Sequence, residues 1–108
     1  MWKARYVIGG AAVGAMLACA TVAQAQDKAK IAAGENLYVT YCSTCHGEGM
    51  TNTNPTTFDL RRLTADDRAR FDNSVTNGKN QMPPWKGVLD HEQLELIWNF
   101  IRNNAYQK

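Results

Sequence analysis

Cys42, Cys45 and His46 stand close together in the stretch Tyr41-Cys-Ser-Thr-Cys-His-Gly47. Two thiols three positions apart, with an imidazole directly after the second, can do one of a few things. A disulfide between Cys42 and Cys45 closes a tiny loop and stabilises little. Structural zinc needs four ligands, and beyond the leader described below the chain offers only Cys42, Cys45, His46 and His91. Cys45 and His46, as direct neighbours, are poorly placed to share one tetrahedral ion. A thiol–disulfide redox pair wants a strand before the C-x-x-C and a helix starting at it. The sequence predicts a helix ahead of the motif and no sheet. There remains the addition of each thiol to a vinyl group of haem, which makes two thioethers while the adjacent imidazole turns under the ring to the iron. Cys42 and Cys45 are therefore the expected attachment points of one covalent haem c, and His46 the expected proximal iron ligand.

The second axial face of such an iron decides its use. Left open, it binds gases or activates peroxide; closed by a methionine, it moves electrons at a raised potential. Met50, Met82 and His91 are on offer. Met50 lies four residues after His46, on the same side of the ring. Met82 lies thirty-six residues beyond His46, on a segment stiffened by Pro83 and Pro84, with enough chain to pass around the ring edge. Its alternative role is to fill a gap in the core. As a soft thioether in a loop dense with Asn and Pro, Met82 is the expected distal ligand. His91 opens a capped helix and is expected to face solvent.

These residues need elements to position them. The apolar spacing of Ile31, Leu37, Tyr38 and Tyr41 predicts a first helix over roughly Lys28 to Tyr41, with Gly34 in its middle. Such a glycine costs helix stability and lets another helix approach closely. The run from Gly47 to Thr57 is loop. Thr64, with Asp66 and Asp67 in the first turn, introduces a second helix that carries Phe71 and Val75 and stops near Asn77-Gly78. Asp90 and Gln93 form a capping box for a third, in which Leu94, Ile97, Trp98 and Ile101 share a face widened by Phe100. No strand pair is predicted. The fold class is all-α, with three main helices around one haem.

Met1–Tyr6 carries Lys3 and Arg5, an apolar Gly/Ala-rich run follows to Ala23, and small residues stand at Ala23 and Ala25. This pattern predicts a secretory signal peptide over residues 1–25, cut after Ala25, and an exported domain over 26–108. A retained membrane anchor is the alternative, and the run is short for it. Removal takes away Cys19, Lys3 and Arg5, leaving ten basic residues against ten acidic. That balance, with no basic run accompanied by aromatics, excludes nucleic acid as a partner. A domain of about eighty residues has a thin core and commonly needs a staple such as a cofactor.

"GENLYVTYCSTCHGEG", "NGKNQMPPW" and "LIWNFIR" together resemble a small class I cytochrome c over essentially the whole exported domain. The resemblance implies that the first and last helices cross near Gly34, where Gly34 and Tyr38 meet Ile97 and Phe100. It also implies that Met82 matches the distal Met, and that the Pro55 carbonyl holds the proximal imidazole N–H. Residues Phe58 to Trp85 are similar to periplasmic cytochromes that take electrons from quinoprotein (PQQ) alcohol dehydrogenases. Arg61 and Arg62 are candidates to pair with haem propionates, or else a solvated loop pair, and Trp85 is expected to pack against the ring edge. The function expected is that of a periplasmic, monomeric electron carrier rather than an enzyme, passing single electrons from a dehydrogenase toward an oxidase or another cytochrome. Lys79 and Lys86, flanking Met82, are candidates for steering an acidic partner. An open-site gas sensor or peroxidase, and a haem subunit held permanently by a dehydrogenase, are the alternatives.

Overall fold

Asp90 and Gln93 close the expected capping box. The Asp90 carboxylate accepts from the Gln93 backbone N–H at 2.8 Å, and the Gln93 side chain accepts from the Asp90 N–H at 2.9 Å. The helix they open, α4, runs His91–Asn104 and buries Leu94, Ile97, Trp98, Phe100 and Ile101 along one face. In this computed structural model residues 9–52 and 54–108 are described, with side chains from Cys19 onward. The basic start of the leader, with Lys3 and Arg5, lies outside the described residues.

Three further α-helices precede it: α1 over Gly9–Tyr41, α2 over Ser43–His46 and α3 over Arg68–Asn77. Among the described residues no sheet forms, and the one β-type pairing is an isolated bridge between Lys79 and Met82. The chain is thus all-α, as its periodicity predicts. α1 starts earlier than Lys28 and runs unbroken through Ala25. Alanine-rich sequence keeps a helix going on propensity alone. Residues 19–30 are all exposed, and Ile31 is the first side chain of α1 that packs against the core. Among the described residues no helix is long and apolar enough to cross a membrane.

Thr64 caps the second helix with Asp66 and Asp67 in its first turn, as expected, but that turn is not α-helical. Asp67 folds its carboxylate back onto the Thr64 N–H (2.8 Å) and hydroxyl (3.0 Å). The first turn, Ala65–Asp67, is consequently a tight 3-10 turn, and regular α-helix starts at Arg68. Arg68 then ties α3 to α4: its guanidinium reaches Asp72 at 2.9 Å and Glu95 at 2.5 Å, and lies 5.7 Å from the Trp98 ring. Phe71 of α3 meets Trp98 at 5.2 Å between ring centres.

α1 and α4 cross at Gly34, as the resemblance implies. A Cβ on Gly34 would run into the Leu96 carbonyl and lie 3.0 Å from Phe100 Cβ. One turn on, Tyr38 packs on Phe100 at 5.3 Å, and both are buried with Ile97 and Ile101. The Tyr38 hydroxyl donates to the Gly47 carbonyl at 2.6 Å, tying α1 to the turn that follows His46. Burial, ahead of its neighbours' charges, pushes this phenol up to about 12. Its unfolded value is near ~10, so its contribution to stability is complete below that pH and is lost as pH rises through about 12. Tyr38→Phe should therefore cost about 1 kcal/mol at neutral pH and flatten the alkaline limb of stability. Denaturant titrations at a series of pH values up to the phenol's folded range measure both effects.

Candidate functional site

One helical turn arranges the cysteines and the histidine. The Cys42 N–H donates to Tyr38 O at 2.8 Å, and the His46 N–H to Cys42 O at 2.9 Å, so helical bonding carries on from α1 through α2. Cys42, Cys45 and His46 stand at i, i+3 and i+4 of that turn, which puts both sulfurs and the imidazole on one side. Gly47, at φ +86, ends the turn, and a Cβ there would strike the Thr51 carbonyl. Left-handed glycine is what lets the chain double back beneath His46.

Met82 is presented by the loop that follows α3. Its N–H donates to Lys79 O at 2.9 Å, and its carbonyl accepts from the Lys79 N–H at 3.1 Å, clipping the turn that bears it. The Trp85 N–H reaches Val75 O at 2.8 Å and the Lys86 N–H reaches Thr76 O at 3.2 Å, which anchor the far side of the loop to α3. α3 stops at Gly78, whose φ of 76 and ψ of 164 belong to a region essentially reserved for glycine, rather than to the expected left-handed helical terminus. A Cβ on Gly78 would press on the Met82 carbonyl at 2.7 Å.

Cys42, Cys45, His46 and Met82 all border one cavity of about 850 Å³. Its remaining walls include Leu60, Leu63, Phe71, Val75, Trp85 and Ile101. Trp85 also meets Tyr41 edge-on at 5.4 Å. Met50, by contrast, is 1% exposed within the core, and neither it nor His91 borders the cavity. Volume and apolar walls suit a large planar ligand. Two thiols, an imidazole and a thioether are donors suited to attaching and ligating a haem iron.

The electrostatics favour that use over the alternatives. Burial pushes the Cys42 thiol up to about 11, with the neighbouring Cys45 adding to it. A disulfide-exchange cysteine needs the opposite shift. Among the described residues no three His, Cys, Asp or Glu side chains gather where they could hold a metal ion. Burial also lowers the His46 pKa, keeping the imidazole in the neutral form that ligates. His46 Nδ1 lies 3.1 Å from the Phe58 carbonyl; with the proton on Nδ1 it donates there and leaves the Nε2 lone pair free.

That contact corrects an expectation, because the carbonyl belongs to Phe58 and not to Pro55. Any residue can offer a carbonyl, so no residue type marks the one that is used. Arg61 is engaged elsewhere: it pairs with Asp59 at 3.0 Å and lies under the Tyr106 ring at 4.9 Å. Arg62 is exposed and borders a second, more polar cavity of about 570 Å³, which shares Asn54, Thr56, Thr57 and Phe58 with the first. Lys79 and Lys86 are both exposed, and Lys79 borders the main cavity.

Over residues 29–101 the chain matches the family described as "Cytochrome C oxidase, cbb3-type, subunit III". It is 32% identical over 81 residues to a protein named cytochrome c6 from Gracilaria tenuistipitata var. liui, an alignment that covers 71% of this chain and 75% of that one. The cytochrome c6 of Alaria esculenta is 33% identical over 72 residues, covering 63% of this chain and 84% of the relative. That of Leptolyngbya boryana is 31% identical over 81 residues, covering 71% and 95%. No solved structure matches at a comparable level of significance.

Proposed function

The chain belongs to the c-type cytochromes, proteins that carry electrons on a covalent haem c, and on that premise we propose that it is a periplasmic carrier with a His/Met-closed iron. Bound in the cavity, haem c supplies a one-electron ferric/ferrous couple. Cys42 and Cys45 hold it through two thioethers, His46 offers Nε2 and Met82 offers its sulfur. The observation that carries this reading is that these four residues, from two segments far apart in the chain, border one cavity. The rigid clip at Lys79 and Met82 keeps the thioether in place in both oxidation states, so little rearrangement accompanies each electron. The apolar walls exclude water. The enzymatic alternative would need Met82 displaced and a distal base, and His91, its only candidate, does not border the cavity.

Residues 1–25 act as a leader removed after Ala25. The exposure of residues 19–30 supports this, as does a family match that begins at residue 29. The exported domain, 26–108, works as a monomer. Lys79 and Lys86 steer an acidic redox partner to the cavity mouth. The donor is a quinoprotein alcohol dehydrogenase and the acceptor an oxidase or another cytochrome, on the strength of the similarity of residues 58–85.

The test is the visible and near-infrared spectrum of the holoprotein, ferric and ferrous, with and without carbon monoxide. A weak far-red ferric band and no response to carbon monoxide are expected. A high-spin ferric spectrum with rapid carbon monoxide binding would replace the carrier with an open-site haem protein.

A further inference from the structure

We propose that Asn52 and Arg70 are positioning residues for His46: together they fix the Phe58 carbonyl that receives the imidazole Nδ1–H, and so set how strongly His46 donates to the iron. The inference rests on His46 being the proximal ligand.

Phe58 lies outside any helix and outside the buried core cluster, bordering the main cavity instead. Three neighbouring contacts hold it. Asn52 Nδ2 donates to the Thr57 carbonyl at 2.5 Å, one residue before Phe58. Asp59, one residue after, caps the next turn by accepting from the Arg61 N–H at 3.0 Å, and is held by the Arg61 guanidinium and the Tyr106 hydroxyl. Arg70, from α3, lays its guanidinium 4.8 Å from the Phe58 ring centre. Contacts of this kind are worth about 0.5–1 kcal/mol at exposed sites, enough to hold a loop that has few others.

The state of Asn52 argues for this role. Its Oδ1 is buried and finds no hydrogen-bond partner among the described residues. Burying an amide with one half unsatisfied costs free energy, and an apolar side chain of the same shape would avoid that cost. What the amide supplies that an apolar residue could not is the bond to Thr57. Through it the loop from Gly47 to Phe58 closes on itself: it leaves His46 at Gly47, packs Thr51 against Gly47, and returns to His46 at the Phe58 carbonyl. Arg70, which also borders the main cavity, pins the Phe58 ring from α3. A hydrogen bond to the second ring nitrogen raises the basicity of a ligating imidazole, which favours the ferric state. Loosening the Phe58 carbonyl should therefore raise the reduction potential.

The experiment uses the holoprotein with Asn52→Leu, Arg70→Ala and Arg70→Lys. Solvent exchange of the His46 Nδ1–H is followed by NMR in the ferrous state, alongside the midpoint potential and the denaturant midpoint. At least tenfold faster exchange is expected for Asn52→Leu and severalfold for Arg70→Ala. Both potentials should rise, the six-coordinate spectrum should persist, and Arg70→Lys should stay near the parent. Unchanged exchange and potential in both variants, with only the denaturant midpoint lowered, would overturn the inference and leave a merely structural role. If Asn52→Leu fails to fold, Arg70→Ala decides through the Nδ1–H exchange rate, because loss of a cation bordering the cavity moves the potential by itself. A parent protein without a six-coordinate low-spin spectrum overturns the ligand reading itself, and this inference with it.

Discussion

Met82→Ala should convert a protein inert to carbon monoxide into one that binds it in the ferrous state. The weak far-red ferric band should vanish, and the midpoint potential should fall by on the order of a few tenths of a volt, within the ~0.8 V range that axial ligands span. The reason lies in the presentation of the side chain. Met82 is half-buried at the cavity wall on a turn clipped in both directions to Lys79, which holds its side chain at that wall. A thioether ligand favours the reduced iron, so on the proposed ligation truncating Met82 removes that preference along with the closed coordination. Met50→Leu is the matched control. Met50 is buried in the core away from the cavity, so that swap should leave spectrum and potential alone and cost under about 1.5 kcal/mol. Redox titration and carbon monoxide difference spectra of the two variants distinguish a ligand from a core methionine. Equal behaviour of the two would remove Met82 from the iron.

Gly34→Val should all but abolish recovery of folded holoprotein. A side chain at residue 34 meets the Leu96 carbonyl, which is backbone of α4 and cannot rotate away, with Phe100 Cβ close behind. The two helices would have to part where Tyr38, Phe100, Ile97 and Ile101 are most deeply buried. Overpacking alone typically costs about 1–3 kcal/mol, and separating this contact adds the loss of buried apolar surface. The total is a large share of the ~5–15 kcal/mol that stabilises an ordinary domain. Gly49→Ala provides the contrast. Its φ is +62 with open space around it, so only backbone strain of about 1–2 kcal/mol is expected and the protein should still fold. Denaturant midpoints and the yield of haem-loaded protein report both. Similar yields for the two variants would mean that α1 and α4 do not depend on close approach.

Both predictions rest on positions already conspicuous in the sequence. The capping box at Asp90 and Gln93 forms as its residue types demand, and the apolar face of α4 is the one its spacing predicts. The start of α3 was less legible, because Thr64 and Asp67 together choose a 3-10 turn over the first α-turn. Arg61 and Arg62 are indistinguishable as neighbours in the chain. Folding separates them, since Asp59 and Tyr106 take up the first while the second borders a cavity.

Sequence alone therefore determined the C-x-x-C-H spacing of Cys42, Cys45 and His46 and the all-α class, while the crossing at Gly34 came only through the family resemblance. Bond reach along a helical turn and the 3.6-residue period are properties of nearby residues, and they act before any tertiary contact forms. Tertiary structure alone decided that Met82 and His46 border the same cavity while Met50 and His91 do not. It also decided that the carbonyl at the imidazole is that of Phe58, beside the Asn52 bond to Thr57 and the Arg70 contact with the Phe58 ring. Those outcomes depend on where a backbone carbonyl or a flexible loop comes to rest, and every residue carries the same carbonyl. Only the packing of α3 and the two loops against α1 and α4 distinguishes one from another.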